Sequence, residues 1–176
     1  MRLTKTLTAV TAAVALATLT GCGSDAKGDD LGLPSAGDIA AVEKFVNQHA
    51  QCAHPRKAAA EGTEGILTDE AKDPEWSIKD REVCDDGAHQ VVTLLSISDM
   101  AKFQAANLKA SQNGKNYQAL VGKDFAVVPA GDETVKKLMN AKLLLLTCGG
   151  KFEIPGGFKK HPGLAEGCVL TDYVPS

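Results

Sequence analysis

From Asp38 onward the chain carries two hydrophobic periods. Ile39, Val42, Phe45, Val46 and Ala50 recur at helical spacing, with Glu43, Lys44, Asn47, Gln48 and Gln51 between them. Asp38 is suited to accept hydrogen bonds from the first free amides. The spacing predicts a helix that ends near Cys52, because Pro55 pushes His54 towards extended geometry. Trp76–Val83 and Gln90–Ile97 read as strands joined through Cys84-Asp85-Asp86-Gly87, with Asp86-Gly87 as the hairpin signal. The first is polar at many positions and is expected at an edge. The second is apolar on both faces and is expected to be central.

Ser98 or Asp99 then caps a second helix, with Met100, Phe103, Asn107 and Ala110 on one face and a stop at Asn113-Gly114. The stretch 117–128 reads as one strand broken at Gly122 and closed by Pro129. Asp132 caps a third helix that turns Val135, Leu138 and Met139 inward, Leu143–Leu146 is a buried strand, and Cys168–Val174 adds a last short one. The segments 56–73 and 149–167, punctuated by Gly and Pro, read as loops. Strands alternating with short helices after a hairpin give an expected α+β fold, a small α/β sandwich. It would hold a mixed sheet of about four to five strands with three helices packed on one face. A ferredoxin-like arrangement is the first choice.

Upstream of this domain the pattern changes. Arg2 and Lys5 precede an uncharged run, Leu7–Leu19, which is shorter than the roughly 20 apolar residues a membrane-spanning helix requires. Small residues Thr20 and Gly21 follow, and then Cys22. Leu19-Thr20-Gly21-Cys22 in this setting resembles the lipobox of bacterial lipoproteins. The resemblance implies removal of residues 1–21 as a signal peptide and a diacylglycerol thioether on Cys22. It also implies an acylated mature N-terminus, palmitate among its chains, held on the extracytoplasmic face of the cell membrane. More than one acyl chain anchors stably where a single myristoyl chain is marginal. With no twin-arginine pair, export as an unfolded chain is expected. Gly23–Gly37, rich in Gly, Ser and Asp, reads as a flexible tether, leaving 38–176 as one globular domain. The resemblance covers the signal, Cys22 and the tether and implies nothing about the domain.

Composition narrows the partners. Removal of the signal takes away Arg2 and Lys5 and no acid, so 19 basic residues against 22 acidic become 17 against 22, a net charge of −5. An acidic chain is not expected to bind nucleic acid, nor to adhere to anionic lipid through the domain itself, which leaves membrane attachment to Cys22. The remaining cysteines, Cys52, Cys84, Cys148 and Cys168, are even in number. In an oxidising compartment that favours disulfides over metal ligation or nucleophilic chemistry. Three pairings exist for four cysteines, and Cys52–Cys84 with Cys148–Cys168 is preferred because each closes a loop-rich segment beside a regular element.

Candidate chemistry is sparse. His49, Cys52 and His54 could ligate a metal as part of a metal or small-molecule carrier, although a bridged Cys52 has no thiolate to offer. Cys148, His161 and Cys168 meet the same objection. Ser96 and Ser98 follow a central strand, but Ser98-Asp99 is more simply a helix cap. Cys84 with His89 could form a nucleophilic pair only as a free thiol. Asp85 and Asp86 sit at a hairpin tip, where exposure would leave both ionised and unperturbed. There is no Gly-x-Ser-x-Gly elbow and no phosphate loop around Gly149-Gly150, Lys151 or Gly156-Gly157, and no cofactor is implied. Lys159-Lys160-His161 is a basic run that could meet an anionic envelope polymer or lipid headgroup, or simply be a solvated loop. The expectation is a lipid-anchored, non-enzymatic module that binds an unknown envelope protein or polymer. A divergent extracytoplasmic enzyme and the His49/Cys52/His54 carrier are the alternatives.

Overall fold

The computed structural model describes residues 31–57, 65–149 and 153–175. The signal segment, Cys22, and the Gly150-Lys151 pair lie outside the described residues. Helix α1 (Ile39–His49) begins where Asp38 accepts from Ala41 N–H at 2.8 Å. Helix α2 (Met100–Gln112) is capped by Asp99, not Ser98, through Lys102 N–H at 3.0 Å. In helix α3 (Asp132–Asn140) Gly131 is the N-cap, and Asp132 and Glu133 occupy the first turn, where the helix dipole favours negative charge. Two 3-10 turns, Glu70–Lys72 and Pro74–Trp76, lead into the sheet.

The strands are β1 (Ala53–Arg56), β2 (Ile78–Asp85), β3 (Val91–Ile97), β4 (Ala119–Val121), β5 (Phe125–Val128), β6 (Leu144–Cys148), β7 (Lys160–Pro162) and β8 (Cys168–Thr171). They form one eight-stranded sheet in the order β1-β2-β3-β5-β4-β6-β8-β7, with every pair antiparallel. This corrects the expected mixed sheet of four to five strands and its ferredoxin-like arrangement. The helix count stands. The additional strands have two origins. The stretch 117–128 is a hairpin, β4 and β5, folding back at Gly122 so that Leu120 opposes Val127 and Val121 opposes Ala126. Strands β1 and β7 are short, polar and carry Pro55 and Pro162, which hides them from a hydrophobicity pattern and suits them to the two sheet edges.

The hairpin also decides where the helices go. The connection β3–α2–β4 steps over β5, and β5–α3–β6 steps over β4, in the same direction across the sheet. Because β3 and β5 run in opposite directions, two crossovers of the same hand must pass on opposite faces. The packing follows this rule. Met100 and Phe103 of α2 cover Leu95, Ala126, Val121 and Leu146, whereas Val42 and Val46 of α1 and Leu138 of α3 cover Leu94, Val127, Leu120 and Leu145. Helices on both faces, not one, explain why consecutive residues such as Leu94 and Leu95 are both fully buried.

Packing begins before the expected start of the domain at residue 38. Leu33 is buried against the α2 face, Pro34 C=O accepts from Lys123 N–H at 2.8 Å, and the Asp124 carboxylate accepts from Ala36 and Gly37 N–H at 2.8 and 3.0 Å. Both preferred cysteine pairs are at bonding distance: Cys52–Cys84 at 2.08 Å, joining the start of β1 to β2, and Cys148–Cys168 at 2.03 Å, between direct partners on β6 and β8. Chain-entropy arguments assign each bridge about 3–4 kcal/mol.

Gly122 is the tightest point of the hairpin. A Cβ there would lie 2.2 Å from the Phe125 ring and 2.6 Å from the Pro34 carbonyl oxygen. Gly122→Ala should therefore destabilise the domain by about 1–3 kcal/mol, the usual cost of overpacking, as read from a denaturant midpoint at unchanged m-value. A midpoint equal to that of the wild type would show that the hairpin tip relaxes freely.

Candidate binding groove

At one end of the sheet, where β6 begins and β8 ends, the strands, the end of α3 and the incoming chain leave an open groove of about 940 Å³. Leu33, Met139 and Leu144 give it an apolar floor. Its charged lining is Lys136, Lys142, Lys159 and His161 with a single acid, Asp172. Lys159 and His161 are two apart on an extended segment and so share a side of it; Lys160 between them does not line the groove. Lys159 N–H donates to Asp172 Oδ1 at 2.7 Å, which ties the segment leading into β7 to the one leaving β8. Among the described residues, the ammonium groups of Lys136, Lys142 and Lys159 have no ion-pair partner, as is also true of Lys44, Lys57, Lys79, Lys123 and Lys160, whereas Lys72, Lys102, Lys109, Lys115 and Lys137 each have one.

Lys142 is held there by an unusual backbone. Helix α3 ends with Lys142 N–H donating to Met139 C=O at 2.9 Å and Leu143 N–H to Leu138 C=O at 3.2 Å, the Schellman pattern. The position after the cap has φ +71° and commonly takes Gly, since an L-residue in that conformation costs about 1–2 kcal/mol. Lys142 thus takes a conformation that suits Gly, and it lines the groove where its charge also complements the negative end of the helix.

A second polar cluster is satisfied internally. Glu70, 9% exposed, accepts from the Tyr117 hydroxyl and from Lys115 Nζ at 3.3 Å, beside a Trp76 ring in edge contact with Phe103 and Tyr117. Burial together with the Glu70 hydrogen bond and charge pushes the Tyr117 hydroxyl up to about 12. Burial acts to raise the Glu70 pKa, but the bonds from Tyr117, its own backbone and Lys115 outweigh it and hold the carboxyl below its ordinary value. These groups hold the 3-10 turns against the segment after α2 and leave no charge unmatched.

The residues singled out by sequence do not converge. Cys52 is bonded to Cys84, His49 is exposed with its ring 4.7 Å from that of Phe45, and His54 Nδ1 lies 3.4 Å from Asp85. Among the described residues no three His, Cys, Asp or Glu side chains gather as a metal site. His161 pairs across from Leu170 and lines the groove, away from the Cys148–Cys168 bond. Ser96 is buried with Oγ 3.4 Å from Asp80 Oδ2, and Ser98 Oγ donates to Ser77 C=O at 3.0 Å. Cys84, being bridged, offers His89 no thiol.

Asp85 and Asp86 depart from the exposed, unperturbed pair expected. Arg56 donates to both Asp85 oxygens at 3.0 and 3.2 Å and, with its charge and His54, lowers the Asp85 pKa. Asp86 is 3% exposed. Its burial acts to raise the pKa, but bonds from Gln90 N–H, Thr134 Oγ1 and Ala88 N–H, with the charge of His89, bring it below the ordinary value.

Sequence reasoning singled out Lys159 and His161 only as part of the basic run Lys159-Lys160-His161, and missed Lys136 and Lys142. These lie on an amphipathic helix and its cap, where exposed lysines are unremarkable, and no local signal ties them to residues beyond position 158. No protein-family model, no curated protein and no solved structure matches this chain significantly.

Asp86 generates a pH prediction. Its folded pKa lies below its unfolded value of about 3.9, so its contribution to stability is present above that pH and is lost as pH falls through the folded pKa. Thr134→Val should cost about 1.5–3 kcal/mol at neutral pH, and less once the carboxyl is protonated in both proteins. Urea titrations of the two proteins at neutral and acid pH check this; a cost independent of pH would place the effect in packing.

Proposed function

We propose that the chain is a lipid-anchored, extracytoplasmic module that binds an anionic ligand in the groove at the end of its sheet. Anchorage is supported by Arg2 and Lys5, the uncharged segment up to Leu19, and Leu19-Thr20-Gly21-Cys22, with Cys22 as the lipidated residue. Two cysteine pairs at disulfide distance fit an oxidising compartment.

Binding is carried by one observation: Lys136, Lys142 and Lys159, unpaired, share a groove in a chain that is acidic overall. Like charges gathered around a concavity raise the local concentration of a counter-ion ligand, whatever the net charge of the molecule. The groove's charged groups suit holding an anion. They present no nucleophile with a base beside it, so the reading is of binding rather than of catalysis. The carrier built on His49, Cys52 and His54 loses support because Cys52 is bonded.

In cells, Cys22→Ser should move the protein from the membrane to the soluble fraction and abolish acyl labelling; a variant that fractionates like the wild type would sink the anchor. Titration of the unreduced mature protein should find no free thiol among Cys52, Cys84, Cys148 and Cys168. For the groove, the mature chain should be retained on phosphocellulose at low salt. Lys136→Ser/Lys142→Gly/Lys159→Ser should elute in the void, and equal retention of the two proteins would remove the groove from the account.

A further inference from the structure

The groove's position says more than its charge. The described chain enters through it: Leu31, Gly32 and Leu33 line the same concavity as the three lysines. Eight residues lie between Cys22 and Leu31, a covalent reach of at most about 30 Å. Whatever surface holds Cys22 is therefore within about one domain diameter of the groove.

The rim of the groove fits a lipid surface. Among the described residues three large apolar side chains are exposed; one of them, Val174 at 36%, lines the groove, and another, Phe158 at 47%, immediately precedes the lining residue Lys159. The Phe158 ring packs 4.8 Å from that of Tyr173, so aromatic, apolar and basic groups lie side by side on the segments joined by Lys159 N–H and Asp172. Lysines beside aromatic and aliphatic side chains are the composition of an interfacial membrane contact, the former meeting headgroup phosphates and the latter the acyl boundary.

We propose that this face is a docking surface for the anionic headgroups of the membrane that carries the anchor, holding the domain down on the bilayer with the groove towards it. The proposal rests on the reading of the groove as an anion site. The net charge of −5 does not oppose it, because a membrane charge is felt only within a Debye length, about 8 Å at physiological salt. The acids of the 69–75 segment line a separate groove beside α2. Each basic residue near such a surface contributes about 1 kcal/mol, so three lysines alone bind weakly. A tether of eight residues supplies the effective concentration that makes a weak contact sufficient.

The test uses the mature chain carrying Cys22→Ser, so that no acyl group contributes and the outcome is independent of how Cys22→Ser fractionates in cells. Co-sedimentation starting from physiological salt, where screening confines the membrane charge to about 8 Å, is measured with phosphatidylcholine vesicles and with equal mixtures of phosphatidylcholine and phosphatidylglycerol. Binding should require the anionic lipid and weaken with salt. Lys136→Ser or Lys159→Ser should each lower the partition coefficient about fivefold, and Phe158→Ser should lower it as well. Lys142→Gly should lower binding to the same extent while raising the melting temperature, because Gly relieves the positive φ; loss of binding through misfolding would instead lower it.

Equal binding to both vesicle types, or no loss in the triple lysine variant, would overturn the proposal. So would retention on phosphocellulose without vesicle binding, which would leave the groove to a soluble anion. Vesicle binding that appears only after Asp29 and Asp30 are changed to Asn would also overturn it, because the chain's own acids would then be the occupant. Failure on phosphocellulose and vesicles together would remove the anion site itself.

Discussion

The reversal of the chain between β4 and β5 is the constraint on which the architecture depends. At Gly122 the backbone turns beneath Pro34 and against the Phe125 ring, leaving no room for a side chain. Two residues later Asp124 joins three parts of the molecule. Its carbonyl accepts from Ile97 N–H at the end of β3, and its carboxylate gathers the amides of Ala36 and Gly37 ahead of α1. The hairpin places β5 beside β3 and β4 beside β6, so neither helical crossover can join neighbouring strands. From that follow the wholly antiparallel sheet, the helices on opposite faces, and strands in which successive residues face two separate cores.

A sheet covered on both faces has little polar surface except at its edges and strand ends. The edges are managed by short, Pro-bearing strands, each adjoining a disulfide: Cys52 enters β1 and is bonded to β2, while Cys168 of β8, neighbour of β7, is bonded to β6. Buried polar side chains in the core are mostly fastening points. Gln104 on α2 accepts from Leu164 N–H at 2.6 Å and Ala165 N–H at 3.3 Å, fixing the segment before β8. The three groove lysines lie instead at the strand ends, where α3 stops and the described chain enters.

That placement separates net charge from local charge. The acidic total was read as disfavouring both nucleic acid and contact between the domain and anionic lipid, but a total carries no positional information. Among the described residues some other lysines are paired, as Lys109 with Glu75 at 2.7 Å and Lys137 with Glu133 at 2.7 Å. Those of the groove are not, and one of them occupies a backbone position that suits Gly.

Local chemistry was legible in the sequence because it depends on neighbours along the chain. Asp38 and Asp99 as caps, the faces of α1 and α2, the stop at Asn113-Gly114 and the buried runs at Val91–Leu95 and Leu143–Leu146 all follow from spacing. Both cysteine pairings follow from parity and from the loops they close. Strand order was not legible. Whether 117–128 is one strand or two rests on a glycine whose need for space is set by Pro34 and Phe125 across the fold. Strands β1 and β7 gain their pairing from β2 and β8 rather than from their own polar residues. The groove was half legible: Lys159 and His161 stood out as a run, whereas Lys136 and Lys142 join them only because the crossover after β5 sets α3 at the end of the sheet where the chain enters. Periodicity, capping and cysteine parity are properties of nearby residues and were determined by the sequence. Which distant charges share a surface was decided by the order of the strands, and so by the tertiary structure alone.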